Sequence, residues 1–169
     1  GDGKKFGVKI HYVLQGSNEK GTALPLRQAK KYLSSDKPFA LYYGDVLADI
    51  NLKDLIDFHI SNSSFTTMAL TSVAKSSKWG MVALHGTKII KFSEKPEEEK
   101  TFSHLINSGI YVLQPKIFEH ISPNDRKLED DVFPRLAKEG KLIGYAFDGK
   151  WFDIGDLETY EKAVKEWKN

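Results

Sequence analysis

Apolar and polar positions along the chain divide into short runs with two different periods. Val8, Ile10, Tyr12 and Leu14 alternate with other residues as a strand does, and lead into a loop at Gln15. Thr22 can cap a helix whose first turn contains Pro25, where a missing N–H does no harm, so a helix is predicted to about Leu33. Phe39-Ala40-Leu41-Tyr42-Tyr43 lacks polar alternation, which predicts a strand covered on both faces in a parallel sheet, ending at Gly44-Asp45. Asn51 can cap a helix with Leu52, Leu55, Ile56 and Phe58 on one face, closed by Ser61 to Ser64 before the β-branched stretch Thr66 to Val73.

Further on, Met81 to Leu84 and Lys88 to Phe92 flank His85-Gly86-Thr87, a Gly-containing turn that predicts a hairpin delivering Glu94-Lys95-Pro96 at its far end. Ile106 to Leu113 reads as a strand interrupted by Gly109, followed by a short helix from Pro115 and an amphipathic helix from Leu128 to Lys138 ended by Gly140. A strand over Leu142 to Phe147 and a closing helix from Leu157, capped by Asp156, complete the chain. Strands alternating with helices predict an α/β fold, three-layered, with a mainly parallel, doubly wound Rossmann-like sheet and a small β-hairpin subregion. Residues 1–169 fit one domain, with no internal repeat, low-complexity tract or linker.

Composition narrows the functional classes. Twenty-five Lys and Arg against 23 Asp and Glu leave a net charge of +2, mixed along the chain, which predicts neither nucleic-acid nor membrane binding. With no cysteine, thiolate metal sites and cysteine nucleophiles are excluded, and without a signal-like start or a long apolar run a cytoplasmic protein is expected. No G-x-S-x-G elbow, Walker loop or G-x-G-x-x-G occurs, which removes support for triad hydrolases, P-loop enzymes and fingerprint dehydrogenases. The five histidines lack ligand spacing.

Two carboxylates attract more attention. Asp45 ends an apolar strand, where open α/β sheets gather ligands, and Asp153 lies between Phe152 and Ile154. Either could be a turn or capping residue; as a pair without a nearby histidine they would favour Mg2+ over zinc. Glu94-Lys95 reads as a solvated turn or as partners for hydroxyls and a phosphate. Trp79-Gly80 and Asn107-Ser108-Gly109 could mark bulges or a close ligand approach, and Trp151 could be core or a sugar platform.

The order of these blocks is more specific than any one of them. Tyr12-Val13-Leu14-Gln15, Gly21-Thr22-Ala23, Gly44-Asp45, Trp79-Gly80, Glu94-Lys95-Pro96, Asn107-Ser108-Gly109-Ile110-Tyr111 and Trp151-Phe152-Asp153-Ile154-Gly155 follow one another as in a single family. The series resembles the sugar-1-phosphate nucleotidylyltransferases, which include glucose-1-phosphate thymidylyltransferase and mannose-1-phosphate guanylyltransferase. That resemblance implies attack of a sugar 1-phosphate on the α-phosphorus of an NTP, giving an NDP-sugar and pyrophosphate. It implies that Asp45 and Asp153 hold Mg2+, that Lys95 joins them as a catalytic residue on the sugar phosphate, and that Glu94 accepts sugar hydroxyls. Gln15, Gly21, Thr22 and Gly44 would face the nucleotide, and Gly80, Asn107, Gly109 and Trp151 would line the sugar. The amide of Gln15 favours thymine or uracil, hence dTTP or UTP.

Two departures from the family pattern stand out. Asp156 replaces the threonine more common before the closing helix, although both can cap. The resemblance also implies a glycine-rich loop and a first strand ahead of Gly1, so an N-terminally incomplete domain, weakly active alone, is expected. An exposed sheet edge would then favour a homo-oligomer or a complementing N-terminal segment. The alternatives are a non-catalytic module of the same fold and a metal-dependent glycosyltransferase, against which Asp45-Val46-Leu47 lacks the second aspartate of Asp-x-Asp.

Overall fold

A computed structural model describes residues 1–16, 20–33 and 36–167. The first residues form a 3-10 turn over Lys4–Phe6 and then extended chain without a ladder. The strand expected over Val8 to Leu14 does not form, because the amides of Val8 and Ile10 donate back to Gly3 and Asp2 and no other strand among the described residues pairs with it. Its apolar side chains are exposed, Leu14 by 90%. Most of the loop expected between Gly16 and Gly21 lies outside the described residues.

Helix α1 spans Ala23–Ala29 and tightens into a 3-10 turn over Lys30–Tyr32. Strand β1 (Phe39–Tyr42) turns at Asp45 into β2 (Val46–Ala48). Helix α2 (Leu52–Ser61) starts where Asn51 was expected to cap it: the Asn51 side chain accepts from the amides of Lys53 and Asp54. Strand β3 (Thr66–Ser72) and the hairpin β4 (Met81–His85) and β5 (Lys88–Ser93) follow, then the long strand β6 (Leu105–Leu113). The helix expected from Leu128 begins instead as a π turn over Leu128–Val132 and becomes α3 only at Phe133–Lys138. Strand β7 (Leu142–Ala146), a short β8 (Trp151–Asp153) that the apolar pattern did not reveal, and α4 (Leu157–Glu166) complete the chain.

Six strands form one sheet in the order β1-β6-β3-β7-β5-β4, and β2 pairs with β8 in a separate ribbon. The α/β class holds, but the sheet is mixed. Strands β1, β3 and β7 run in the same direction, and β3 with β7 is the parallel pair among the described residues. Strand β6 enters antiparallel between β1 and β3, since a strand buried on both faces can take either orientation without changing its apolar pattern. Strand β1, expected to be covered on both faces, is an edge strand with alternating half-buried and exposed residues.

Side chains on neighbouring positions of β3 and β6 serve opposite faces. Met68, Leu70, Tyr111 and Leu113 pack with Leu26 of α1 and with Phe133 and Leu136 of α3. Ala69, Ile110 and Val112 pack with Leu55 of α2, giving the expected three layers. The sheet turns back on itself where β4 meets β6 at Met81 and Ile106, which carries Gly80 to the side of Asn107. Opposite β3, strand β6 bulges between Asn107 and Tyr111, with Gly109 at φ 77°.

His59 lies fully buried beneath α2, with Nδ1 2.9 Å from Thr67 Oγ1 and Nε2 3.1 Å from Gln114 Nε2. Burial pushes its pKa down to about 4 from 6.5. The unfolded chain therefore binds a proton that the folded chain refuses, and this contribution, present above pH 6.5, is lost as pH falls towards 4. Thermal unfolding across that range is expected to lose about 3 kcal/mol of stability through this histidine. An equally steep loss in His59→Gln would refute the assignment.

Candidate active site

Backbone pairing brings the two aspartates together. Val46 is registered against Asp153 in the β2–β8 ribbon, and the Ile154 amide donates to the Asp45 carbonyl at 2.7 Å. Both carboxylates converge over Gly155: a Cβ placed there would lie 3.2 Å from Asp153 Oδ1 and 3.8 Å from Asp45 Oδ2. The Gly155 amide donates to Asp153 Oδ1 at 3.2 Å, and the Trp79 indole Nε1 donates to Asp153 Oδ2 at 3.1 Å.

Across the cleft, the hairpin and β6 supply a second group. A Cβ on Gly80 would come within 2.6 Å of Glu94 Oε2 and 2.8 Å of the Phe92 ring, so only glycine leaves Glu94 its place. The Asn107 amide donates to the Gly80 carbonyl at 2.8 Å, and Asn107 Oδ1 accepts from the Gly109 amide at 3.1 Å. A Cβ on Gly109 would press on Val46 at 3.0 Å and on the Tyr43 ring at 3.2 Å, so the bulge and the Asp45 turn fit closely. Lys95 holds the left-handed region at φ 39°, uncommon for a side-chain-bearing residue.

Glu129, which the charged stretch Leu128-Glu129-Asp130-Asp131 disguised as a solvated helix face, is buried in this cleft. The π turn directs its carboxylate inward, where Thr22 Oγ1 donates to it at 2.7 Å and the Tyr43 hydroxyl also donates. Thr22 is therefore not the side-chain cap expected for α1; its hydroxyl is engaged with Glu129 and with the Leu128 amide at 2.8 Å. Burial, reinforced by the neighbouring Tyr111 phenol and by the Glu129 carboxylate, keeps the Tyr43 phenol protonated far above its ordinary range. Burial and the nearby Glu129 also push Glu94 up to about 6, while Lys95 works in the opposite direction.

The resulting cavity of about 230 Å³ brings together Thr22, Asp45, Gly80, Glu94, Lys95, Asn107, Gly109, Trp151 and Asp153, all expected from the sequence. Tyr43, Trp79, Ser108, Lys127 and Glu129 line it too, and had not been expected as site residues. Gly21 and Gly44 instead line a neighbouring, more apolar cavity of about 580 Å³, which shares Thr22, Tyr43 and Asp45 with the first. Gln15 is exposed and lines neither cavity. No group of three or more His, Cys, Asp or Glu among the described residues is arranged to hold a metal. The aspartate pair can supply hard oxygen ligands to a cation that takes the rest from phosphates or water, a habit of Mg2+.

The family model described as nucleotidyl transferase matches residues 1–169. The chain belongs to the nucleotidyl transferase family. It is 34% identical over 168 residues to a Dictyostelium discoideum protein named mannose-1-phosphate guanylyltransferase catalytic subunit beta, covering 98% of this chain and 46% of that one. A Drosophila melanogaster protein of the same name is 35% identical over 161 residues, 94% of this chain and 43% of its own. The chain thus spans about half the length of these nucleotidyl transferase relatives. Among solved structures, a putative glucose-1-phosphate thymidylyltransferase from Bacillus anthracis superposes with a TM-score of 0.87 at 22% identity, over 100% of this chain and 70% of that one. UDP-glucose pyrophosphorylase complexed with UDP-glucose gives 0.76 at 27% identity, over 91% and 64%. These likenesses place the mixed sheet and its helices within the nucleotidyl transferase fold.

The folded pKa of Glu94 lies above the ordinary 4.5, so the stability this carboxyl contributes at low pH is lost as pH rises from 4.5 through about 6. Carboxyl 13C titration is expected to give a midpoint near 6, lowered in Glu129→Gln. A wild-type midpoint at 4.5 would contradict the burial of this carboxyl and the influence of Glu129.

Proposed function

We propose that the cleft serves transfer of a guanylyl group from GTP to mannose 1-phosphate, giving GDP-mannose and pyrophosphate. The observation that carries this reading is the opposition, across one cleft, of the Asp45–Asp153 pair to Glu94 and Lys95 in a chain 34% identical to a mannose-1-phosphate guanylyltransferase. The relatives' names favour GTP over the dTTP or UTP that Gln15 suggested, and Gln15 stands away from the cleft.

In this reading a phosphate oxygen of the sugar 1-phosphate attacks the α-phosphorus, the bond to the bridging oxygen breaks, and pyrophosphate leaves. Such an in-line displacement needs alignment and charge neutralisation more than a protein base. Asp45 and Asp153 would hold Mg2+, which neutralises phosphate charge when bound. Lys95 pairs with the sugar phosphate, and Glu94 accepts hydrogen bonds from the sugar hydroxyls beside Gly80, Asn107, Gly109 and Trp151. Thr22, with Gly21 and Gly44, faces the nucleotide from the adjoining cavity. The words "catalytic subunit" in two relatives' names suggest that the chain also works beside a second subunit.

Pyrophosphate release by the full-length protein is expected to be fastest with GTP and mannose 1-phosphate in the presence of Mg2+. Asp45→Ala and Asp153→Ala should each lower kcat at least about a hundredfold. Retained turnover in both variants sinks the metal assignment, and silence with every NTP and sugar phosphate pair favours a non-catalytic module.

A further inference from the structure

Trp79 makes contacts at both ends of the cleft. It follows a 3-10 turn over Ser76–Lys78 and continues as extended chain at φ −129° and ψ 175°. Its indole Nε1 donates to Asp153 Oδ2 at 3.1 Å, while its backbone carbonyl accepts from the Lys95 amide at 3.3 Å. The indole is itself fixed. Its ring meets Trp151 edge-on, with centroids 5.3 Å apart and planes at 84°, and Trp151 Nε1 donates to the Ser108 carbonyl at 3.0 Å. Trp151 and Asp153 are two residues apart on β8 and so share one face, with Trp79 lying across both.

We infer that Trp79 is a positioning residue: its indole N–H sets the Asp153 carboxylate towards Asp45 for cation binding, and its carbonyl holds Lys95 in its left-handed conformation. The inference rests on the metal reading above. An aspartate on a short ribbon can rotate its carboxylate away from a neighbour of like charge. A donor on Oδ2, together with the Gly155 amide on Oδ1, opposes that rotation and offsets part of the repulsion from Asp45. The left-handed backbone at Lys95 is unfavourable for a residue with a side chain, so it persists only where neighbouring bonds over-determine it, and the bond to the Trp79 carbonyl is one of these. One side chain and its own peptide therefore keep the acidic and basic ends of the cleft in fixed relation.

The test uses the full-length protein with Mn2+ as probe, followed by electron paramagnetic resonance of the free ion. Trp79→Phe keeps a ring against Trp151 but removes the donor. It is expected to weaken Mn2+ binding about tenfold with little change in melting temperature, within the range seen when a partner of a metal ligand is removed. Asp153→Ala should abolish binding. A second check, which does not depend on Mn2+ affinity, is the Trp79 indole N–H cross-peak in 15N spectra, assigned by its loss in Trp79→Phe: it should broaden on adding Mn2+ to wild type and shift in Asp153→Asn. If Asp153→Ala binds Mn2+ like wild type, or wild type binds none, the metal reading falls and this inference with it. If Asp153→Ala loses binding while Trp79→Phe retains it, or if the indole peak ignores Asp153→Asn, the metal reading stands and the role of Trp79 is overturned.

Discussion

The register of a ribbon only three residues long on each side, Val46–Ala48 against Trp151–Asp153, governs the site. Slipping this pairing by one residue would turn Asp153 to the opposite face and leave Asp45 without its neighbour. The register is secured from outside the ribbon. The Ile154 amide ties to the Asp45 carbonyl at one end, the Asp49 amide ties to the Lys150 carbonyl at the other, and the Tyr43 amide donates to the Gly109 carbonyl of the bulge at 3.0 Å. Glycine at position 109 is required twice, for its positive φ and for the space that a side chain would take from Tyr43.

Glu129 performs the corresponding task for the segments behind the cleft. Its carboxylate accepts from Thr22 at the start of α1 and from Tyr43 at the end of β1, and so connects three stretches far apart in sequence. A buried carboxylate is tolerable only when such donors replace water. The same carboxylate serves two structural hydroxyls, and its negative charge adds to the effect of burial in raising the proton affinity of Glu94.

Features set by a few adjacent residues were legible in the sequence. Asn51 and Asp156 cap their helices with side-chain bonds to amides two or three positions on, and the Gly86 turn closes its hairpin as read. Features set by distant partners were not. A run such as Ile110-Tyr111-Val112-Leu113 states that both faces are buried but carries no sign of chain direction, so the antiparallel insertion of β6 into a sheet expected to be mainly parallel could not be read. The alternation at Val8, Ile10, Tyr12 and Leu14 is real, yet a strand also needs a ladder partner, and the amides there turn back to Asp2 and Gly3. For the site, nine of the expected residues meet in one cleft because the ordered blocks carried them. Glu129 escaped because a π turn, invisible to a 3.6-residue period, redirects it from the face that its neighbours Asp130 and Asp131 suggest.

The side chains lining the cleft also give it a charge of its own. Asp45, Asp153, Glu94 and Glu129 stand against Lys95 and Lys127, four carboxylates to two ammoniums, so the cavity is formally negative by two at neutral pH although the chain as a whole is positive by two. A bare polyanion approaching it meets repulsion over a Debye length of about 8 Å at physiological ionic strength. On charge alone, such a lining favours an anion already neutralised by a counter-cation over a free one, and added salt narrows that difference.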